Sequence, residues 1–363
     1  MSTIPYEHHA VAYGSDGKSI FYLAAGPRQG PLIIFLHGWP GIAKTWHPQL
    51  QTFAGLGFRV VAPDMPGYGK STARTDKQTD YSQESVLQGV LAVLADTGRE
   101  QAIWVGHDWG CATVSTLANT RPDVCRAVAQ LVVPYATLER GMEALLAVVD
   151  RDVYPKDKYP YGQFSYQAYY EQSFEKAIAF QEQDTHSFLR YVFQQPEHLP
   201  EGTPSPRANI IKDGGWFGGI ERPPPPSTVK DEEIVMEQEV FQELVAAMET
   251  TGWAPAGSYY MNHKANREYN ITHSKHDGKL YMPVLYVHGR WDQVSDSARN
   301  VKCTTILRRD CENLTETIIE AGHNIYCEKA EETNAAITRW LVEEVKDWWP
   351  GFWSNRFAKQ PFN

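Results

Sequence analysis

Val105-Gly106-His107-Asp108-Trp109-Gly110-Cys111 lies where a β-rich run, Ala102 to Val105, gives way to a helical pattern carried by Val114, Leu117 and Ala118. A strand that turns sharply into a helix with small residues two positions either side of a reactive one is a nucleophile elbow. The turn is tight, so Gly106 and Gly110 leave room for the backbone, and the central side chain projects at the carboxyl edge of the sheet with helix amides behind it. Here that side chain is a carboxylate, Asp108. An Asp at a strand end also serves as an ordinary helix cap, so the elbow must be judged by what surrounds it.

Three further segments answer to it. Leu36-His37-Gly38-Trp39-Pro40-Gly41 follows an apolar run, Leu32 to Leu36, and a Gly- and Pro-rich turn at that place can aim backbone amides at the elbow as half of an oxyanion hole. Asp292 follows the run Val284 to Val287, and His323 follows a run ending at Glu320. Nucleophile, acid, histidine is the chain order of the α/β-hydrolase arrangement. Asp296 stands four residues after Asp292 as a rival acid. Asp292 is preferred because it sits directly after the strand.

Around these segments, β-rich runs (Ser19 to Ala24, Leu32 to Leu36, Arg59 to Ala62, Ala102 to Val105, Ala127 to Val133) alternate with helical patterns such as Val86, Val90, Leu91, Val93 and Leu94. That alternation predicts an α/β fold, a mostly parallel sheet with helices on both faces. From about Leu138 the composition changes to Tyr, Gln, Glu and Pro, with helical stretches near Tyr166 to Phe193 and Glu232 to Met248 and a loop at Pro223 to Pro226. Strands return at Pro283 to Val287 and Glu316 to Glu320, and a helix is expected from Glu331 to about Trp348. The expected organisation is therefore a core over residues 1–137 and 281–363, with a helical insert over 138–280. The aromatic stretch Trp348-Trp349-Pro350-Gly351-Phe352-Trp353 is expected to pack back on the core.

Composition narrows the function. A net charge of −10 disfavours nucleic acid, whose phosphates need clustered Lys and Arg. No apolar run reaches the roughly 18 to 20 residues of a membrane span. The first 30 residues lack the basic start and apolar centre of a secretory signal, and five scattered cysteines suit free thiols better than a disulfide framework or a zinc site. A cytoplasmic enzyme with neither cofactor nor metal, acting on a small neutral molecule, is the expectation.

His37-Gly38-Trp39-Pro40, Asp64-Met65-Pro66-Gly67-Tyr68-Gly69-Lys70-Ser71, Gly106-His107-Asp108-Trp109-Gly110 and Ala321-Gly322-His323 together resemble the soluble epoxide hydrolases of the α/β-hydrolase superfamily, over nearly the whole chain. The resemblance implies that the insert is a cap and that two of its tyrosines face the nucleophile. Ser165-Tyr166-Gln167-Ala168-Tyr169-Tyr170 and Ser258-Tyr259-Tyr260-Met261-Asn262 look like the two tyrosine motifs, pointing to Tyr166 and Tyr260, with Tyr169, Tyr170 and Tyr259 as neighbouring alternatives. One departure is Gly41, where a Glu or another polar residue is common after the proline.

The chemistry follows from the elbow residue. A carboxylate is ionised near neutral pH and suits in-line attack on a saturated carbon. Asp108 would open an epoxide to an alkyl ester, Tyr166 and Tyr260 would protonate the alkoxide, and His323, oriented by Asp292, would activate the water that hydrolyses the ester. Backbone N–H groups of Trp39 and Trp109 are the proposed oxyanion donors. The expected partners are a small epoxide and water, with detoxification as a fitting role. A haloalkane dehalogenase uses the same aspartate and is the alternative, although dehalogenases commonly carry Asn where this chain has Trp39. A non-catalytic binding module is the remote one.

Overall fold

A computed structural model describes residues 3–351. Eight strands form one sheet: β1 (Glu7–Tyr13), β2 (Lys18–Ala25), β3 (Leu32–Leu36), β4 (Arg59–Pro63), β5 (Ala102–His107), β6 (Cys125–Leu131), β7 (Leu280–Gly289) and β8 (Cys311–Ile319), in the order β1-β2-β4-β3-β5-β6-β7-β8. The first two pair antiparallel, β2 pairs antiparallel with β4, and the remaining pairs are parallel. Every residue of β3, β4 and β5 is buried, as expected for parallel strands covered on both faces.

Sequence patterning foresaw seven of these strands and missed β1. In Glu7-His8-His9-Ala10-Val11-Ala12-Tyr13 the buried face carries few large apolar residues, because β1 is an edge strand with half its side chains in water. It is tied down by tertiary contacts instead, including an ion pair of 2.7 Å between Glu7 and Arg59 of β4.

Helices α1 (His47–Gly55), α2 (Gln83–Asp96) and α3 (Trp109–Thr120) link the early strands. Ser82 caps α2 by accepting from the Ser85 amide, and Val86, Leu87, Val90, Val93 and Leu94 bury one face against the sheet. Between β6 and β7 the chain is helical, with α4 (Gly141–Ala147), α5 (Ser165–Gln172), α6 (Phe174–Glu182), α7 (Thr185–Val192), α8 (Gln238–Thr251) and α9 (His263–Thr272) as its main elements. The single helical stretch expected over Tyr166 to Phe193 is thus three helices. Breaks fall at Ser173 and near Asp184, whose side chain caps α7 through the Ser187 amide. The stretch expected from Glu232 begins instead as a short 3-10 turn, Asp231–Glu233, and α8 runs on past Met248 to Thr251.

After β8, α10 (Ala330–Glu344) packs Ile337, Trp340 and Leu341 inward, and a 3-10 turn over Lys346–Trp348 ends the expected helix early. Trp348 is buried and the Trp349 ring meets Phe58 edge-on at 5.5 Å, so this part of the aromatic stretch packs on the core. Phe352 and Trp353 lie outside the described residues.

Candidate active site

At the end of β5, Asp108 adopts φ 51° and ψ −121°, a conformation that a non-glycine residue holds only when its surroundings force it. The force is close packing. A Cβ on Gly110 would lie 2.0 Å from the Leu36 carbonyl oxygen, one on Gly106 would lie 2.6 Å from the Gly110 carbonyl carbon, and one on Gly38 would lie 2.4 Å from the Asp108 Cβ. Strand β3 and its loop therefore touch the elbow directly, which only glycines permit. Asp108 stands at the N-cap position of α3, but its side chain caps nothing in that helix.

Its two carboxylate oxygens have different partners. The Trp39 N–H donates to Oδ1 at 2.8 Å, and the nearby Trp109 amide helps to lower the carboxylate's pKa. Oδ2 lies 3.4 Å from His323 Nε2. The other ring nitrogen of His323 is 3.1 Å from Asp292 Oδ1. Asp292 is itself held by the Val294 amide at 2.8 Å and by the Ser295 hydroxyl at 2.5 Å. Asp296 points elsewhere, to Arg299 at 2.7 Å.

The charges are coupled. Burial opposes the imidazolium of His323, but Asp292 and Asp108 together outweigh it and push its pKa up to about 9. Burial alone would raise both carboxylates, yet the histidine and the local hydrogen bonds hold Asp108 below its ordinary value and Asp292 at about 2. The resting site is an ionised aspartate beside a protonated histidine.

A cavity of about 430 Å³ opens over Asp108, with Trp39, His323, Tyr166, Tyr260 and Trp216 among its walls. Tyr166 and Tyr260 stand edge to face, with ring centres 5.9 Å apart, and Tyr260 stacks on Tyr170 at 4.4 Å. Burial first, and the nearby Asp108 charge second, keep both hydroxyls protonated well above the usual tyrosine range. Two of the three neighbours left open by the sequence have other engagements. The Tyr259 hydroxyl donates to the Pro66 carbonyl at 2.8 Å, and the Tyr170 hydroxyl accepts from Gln181 at 2.5 Å.

Four supporting residues were not singled out from the sequence. His107 sits beside Asp108 in the chain; its Nε2 lies 2.8 Å from the His323 carbonyl oxygen, and burial lowers its pKa to about 3, so the neutral ring donates there. His37 accepts from the Met65 amide at 2.9 Å and donates through Nδ1 to the Gly38 carbonyl at 2.9 Å, fixing the turn that presents Trp39. Ser295 braces Asp292. Asp64, buried, takes the Ala43 and Lys70 amides at 2.8 Å each. His37, Asp64 and His107 stand inside the quoted motifs, so the motif boundaries were the available signal; Ser295 had none.

Among the described residues no group of three or more His, Cys, Asp or Glu could hold a metal ion, and no helix is long and apolar enough to cross a membrane.

The alpha/beta hydrolase fold family matches residues 31–330. Similar proteins include bifunctional epoxide hydrolase 2 of Sus scrofa, 26% identical over 340 residues, which are 93% of this chain and 56% of that one. Epoxide hydrolase A of Mycobacterium tuberculosis (strain ATCC 25618 / H37Rv) is 27% identical over 333 residues, 90% of this chain and 95% of that one. The chain thus spans little more than half the length of the first relative and nearly all of the second. Among solved structures, epoxide hydrolase A from Mycobacterium thermoresistibile superposes with a TM-score of 0.73 at 27% identity, covering 93% of this chain and 99% of that one. With the matched segment taking in Asp108, the Trp39 turn, Asp292 and His323, the chain belongs to the alpha/beta hydrolase fold family.

Proposed function

We propose that this protein hydrolyses epoxides to vicinal diols through a covalent ester on Asp108. One observation carries the reading: an ionised carboxylate at the elbow, with one oxygen on the Trp39 amide and the other beside His323, faces a cavity that two protonated tyrosines also line. The similarity to epoxide hydrolases over nine-tenths of the chain supports it. In this proposal residues 138–280 are the cap, and residues 1–137 and 281–363 are the core. The five unpaired cysteines favour a cytoplasmic setting.

Asp108 Oδ2 attacks a ring carbon, the carbon–oxygen bond breaks, and the alkoxide takes a proton from Tyr166 or Tyr260. Oδ1 stays on the Trp39 amide as the ester carbonyl. Esterification removes one of the two negative charges that hold the His323 proton, so the imidazolium's pKa falls; its proton passes to the tyrosinate left by ring opening, which restores the tyrosine and leaves a neutral ring to act as a base. It then takes a proton from water, which attacks Cγ of Asp108. Charge that develops on Oδ1 meets the Trp39 and Trp109 amides, donors worth about 3 to 4 kcal/mol in related chemistry. The tetrahedral intermediate collapses, the diol departs with the former Oδ2 and the proton of the added hydroxyl, and Asp108 is left as a carboxylate holding one oxygen from water.

The test separates these steps. His323→Gln should alkylate and stall, giving a protein heavier by one whole substrate, with the adduct on the peptide that holds Asp108. Parent enzyme turned over once in oxygen-18 water should carry label in Asp108 and none in the diol. Labelled diol with unlabelled Asp108 would overturn the covalent route. Halide release from 1-haloalkanes faster than diol formation from epoxides would make the protein a dehalogenase.

A further inference from the structure

Asp108 stands at the junction of two chambers of very unequal size. The front one is the cavity of about 430 Å³ described above. A rear one of about 20 Å³ shares Asp108, Tyr166 and Val294 with it and is closed by Val133, Leu138, Leu145, Val148, Phe164 and Cys303. All six of these are buried. They come from the loop after β6, from α4 and its flanks, from the turn before α5, and from the 3-10 turn Val301–Thr304 of the core.

Room for one water-sized group needs roughly 10 to 15 Å³ on this measure, so the rear chamber holds about one such group. A water there would need two to four polar partners. Of the polar side chains of its wall, the Thr137 hydroxyl donates to the Pro134 carbonyl at 2.6 Å, the Ser295 hydroxyl lies 2.5 Å from Asp292 Oδ2, and Gln167 Nε2 donates to the Tyr166 hydroxyl at 3.0 Å, while Gln167 Oε1, beside Asp108 and Tyr166, is left without a partner among the described residues. Apolar side chains form most of the wall, so the space accepts a methyl group.

An epoxide presented to Asp108 with its oxygen toward Tyr166 and Tyr260 directs the substituents of its two ring carbons to opposite sides. We infer that the substrates are epoxides with one bulky apolar arm, held in the front chamber, whose other ring carbon carries nothing larger than a methyl group, held in the rear chamber. The inference rests on the epoxide reading above and adds the substrate class. Leu145 and Val148 then set the size limit, because they form the rear wall without touching the triad's hydrogen bonds.

The test uses three epoxides that share one phenyl arm and differ in the other: styrene oxide, trans-β-methylstyrene oxide and trans-stilbene oxide. The purified full-length parent should hydrolyse the first two with kcat/KM within about tenfold of each other, and stilbene oxide at least roughly a hundredfold more slowly, the scale of discrimination that a packed apolar pocket achieves. Leu145→Ala and Val148→Ala should each raise the ratio of stilbene oxide to styrene oxide turnover by about tenfold or more. Val148→Leu should lower the ratio of β-methylstyrene oxide to styrene oxide. Parent turnover of stilbene oxide within about threefold of styrene oxide would overturn the inference. So would unchanged ratios in both alanine variants at an unaltered melting temperature. Diol from none of the three, together with no adduct on Asp108 in His323→Gln, would instead remove the epoxide reading and this inference with it.

Discussion

The carboxyl edge of the sheet and the helical insert above it contribute to the same cavity by different physical means. At the sheet edge, position is imposed by backbone. Asp108 is held at a strained φ by three glycine contacts, Trp39 presents an amide because His37 pins its turn, and Asp292 is fixed by the amide and hydroxyl that follow it. In the insert, position is imposed by side-chain packing. Tyr260 is placed by rings on several sides, stacked on Tyr170 and edge-on to Trp39 and Trp109 at 6.2 and 5.3 Å. Backbone-built geometry tolerates almost no substitution, whereas aromatic packing can be rebuilt. In the proposed reaction the sheet edge therefore carries the chemistry, and the insert selects what reaches it and supplies the proton.

That division is broken most directly at the nucleophile. Asp108→Ala should lower diol formation by about 10⁴-fold or more, and mass spectrometry should find no adduct with any epoxide. A variant that still turns over would mean the reaction does not run through the sheet edge.

The double variant Tyr166→Phe, Tyr260→Phe removes both proton donors of the insert and leaves the triad intact. Ring opening, followed as Asp108 alkylation in a His323→Gln background, should slow by roughly 10³-fold, and each single variant by about 10-fold to 10²-fold. Alkylation at the parent rate would show that the insert only encloses the substrate.

Ser295→Ala sharpens the contrast within the core. Losing the 2.5 Å contact to Asp292 should reduce kcat by about tenfold, with KM nearly unchanged, because its hydroxyl braces the acid and it does not line the front chamber that holds the bulky arm. A rise in KM alone would place its effect in binding.

The smallest effect concerns pH. The folded-state pKa of His323 is raised from 6.5 to about 9, so the stabilisation it provides is complete below 6.5 and is lost as pH rises through about 9. The parent's melting temperature should therefore fall between neutral pH and about pH 10 by more than that of His323→Gln, read by differential scanning fluorimetry. Parallel curves would mean that the histidine is neutral in the resting site.

Several features were legible before any coordinates. Fully apolar runs such as Leu32–Leu36 are strands because they are covered on both faces, and glycines two residues from Asp108 mark a backbone too crowded for any Cβ. The seven strands, the α/β class and the order of Asp108, Asp292 and His323 all rest on such local signals. The edge strand Glu7–Tyr13 was invisible because half its face is wet, and the three-way break of the insert's helices was hidden because their apolar spacing continues across Ser173 and Asp184.

Distances between elements far apart in the chain had to await the fold. Sequence order offered both Asp292 and Asp296 as partners of His323, and five tyrosines as donors. Only the folded chain puts Asp292 at 3.1 Å, ties Asp296 to Arg299, turns the Tyr259 hydroxyl toward Pro66 and leaves Tyr166 and Tyr260 on the cavity wall. The rear chamber belongs to the same category, since its walls come from segments between Val133 and Cys303. Residue type and local spacing determine what a side chain can do and which way the backbone turns. Which of several equivalent side chains does it is decided by packing between distant segments, a property of the folded whole that no single stretch contains.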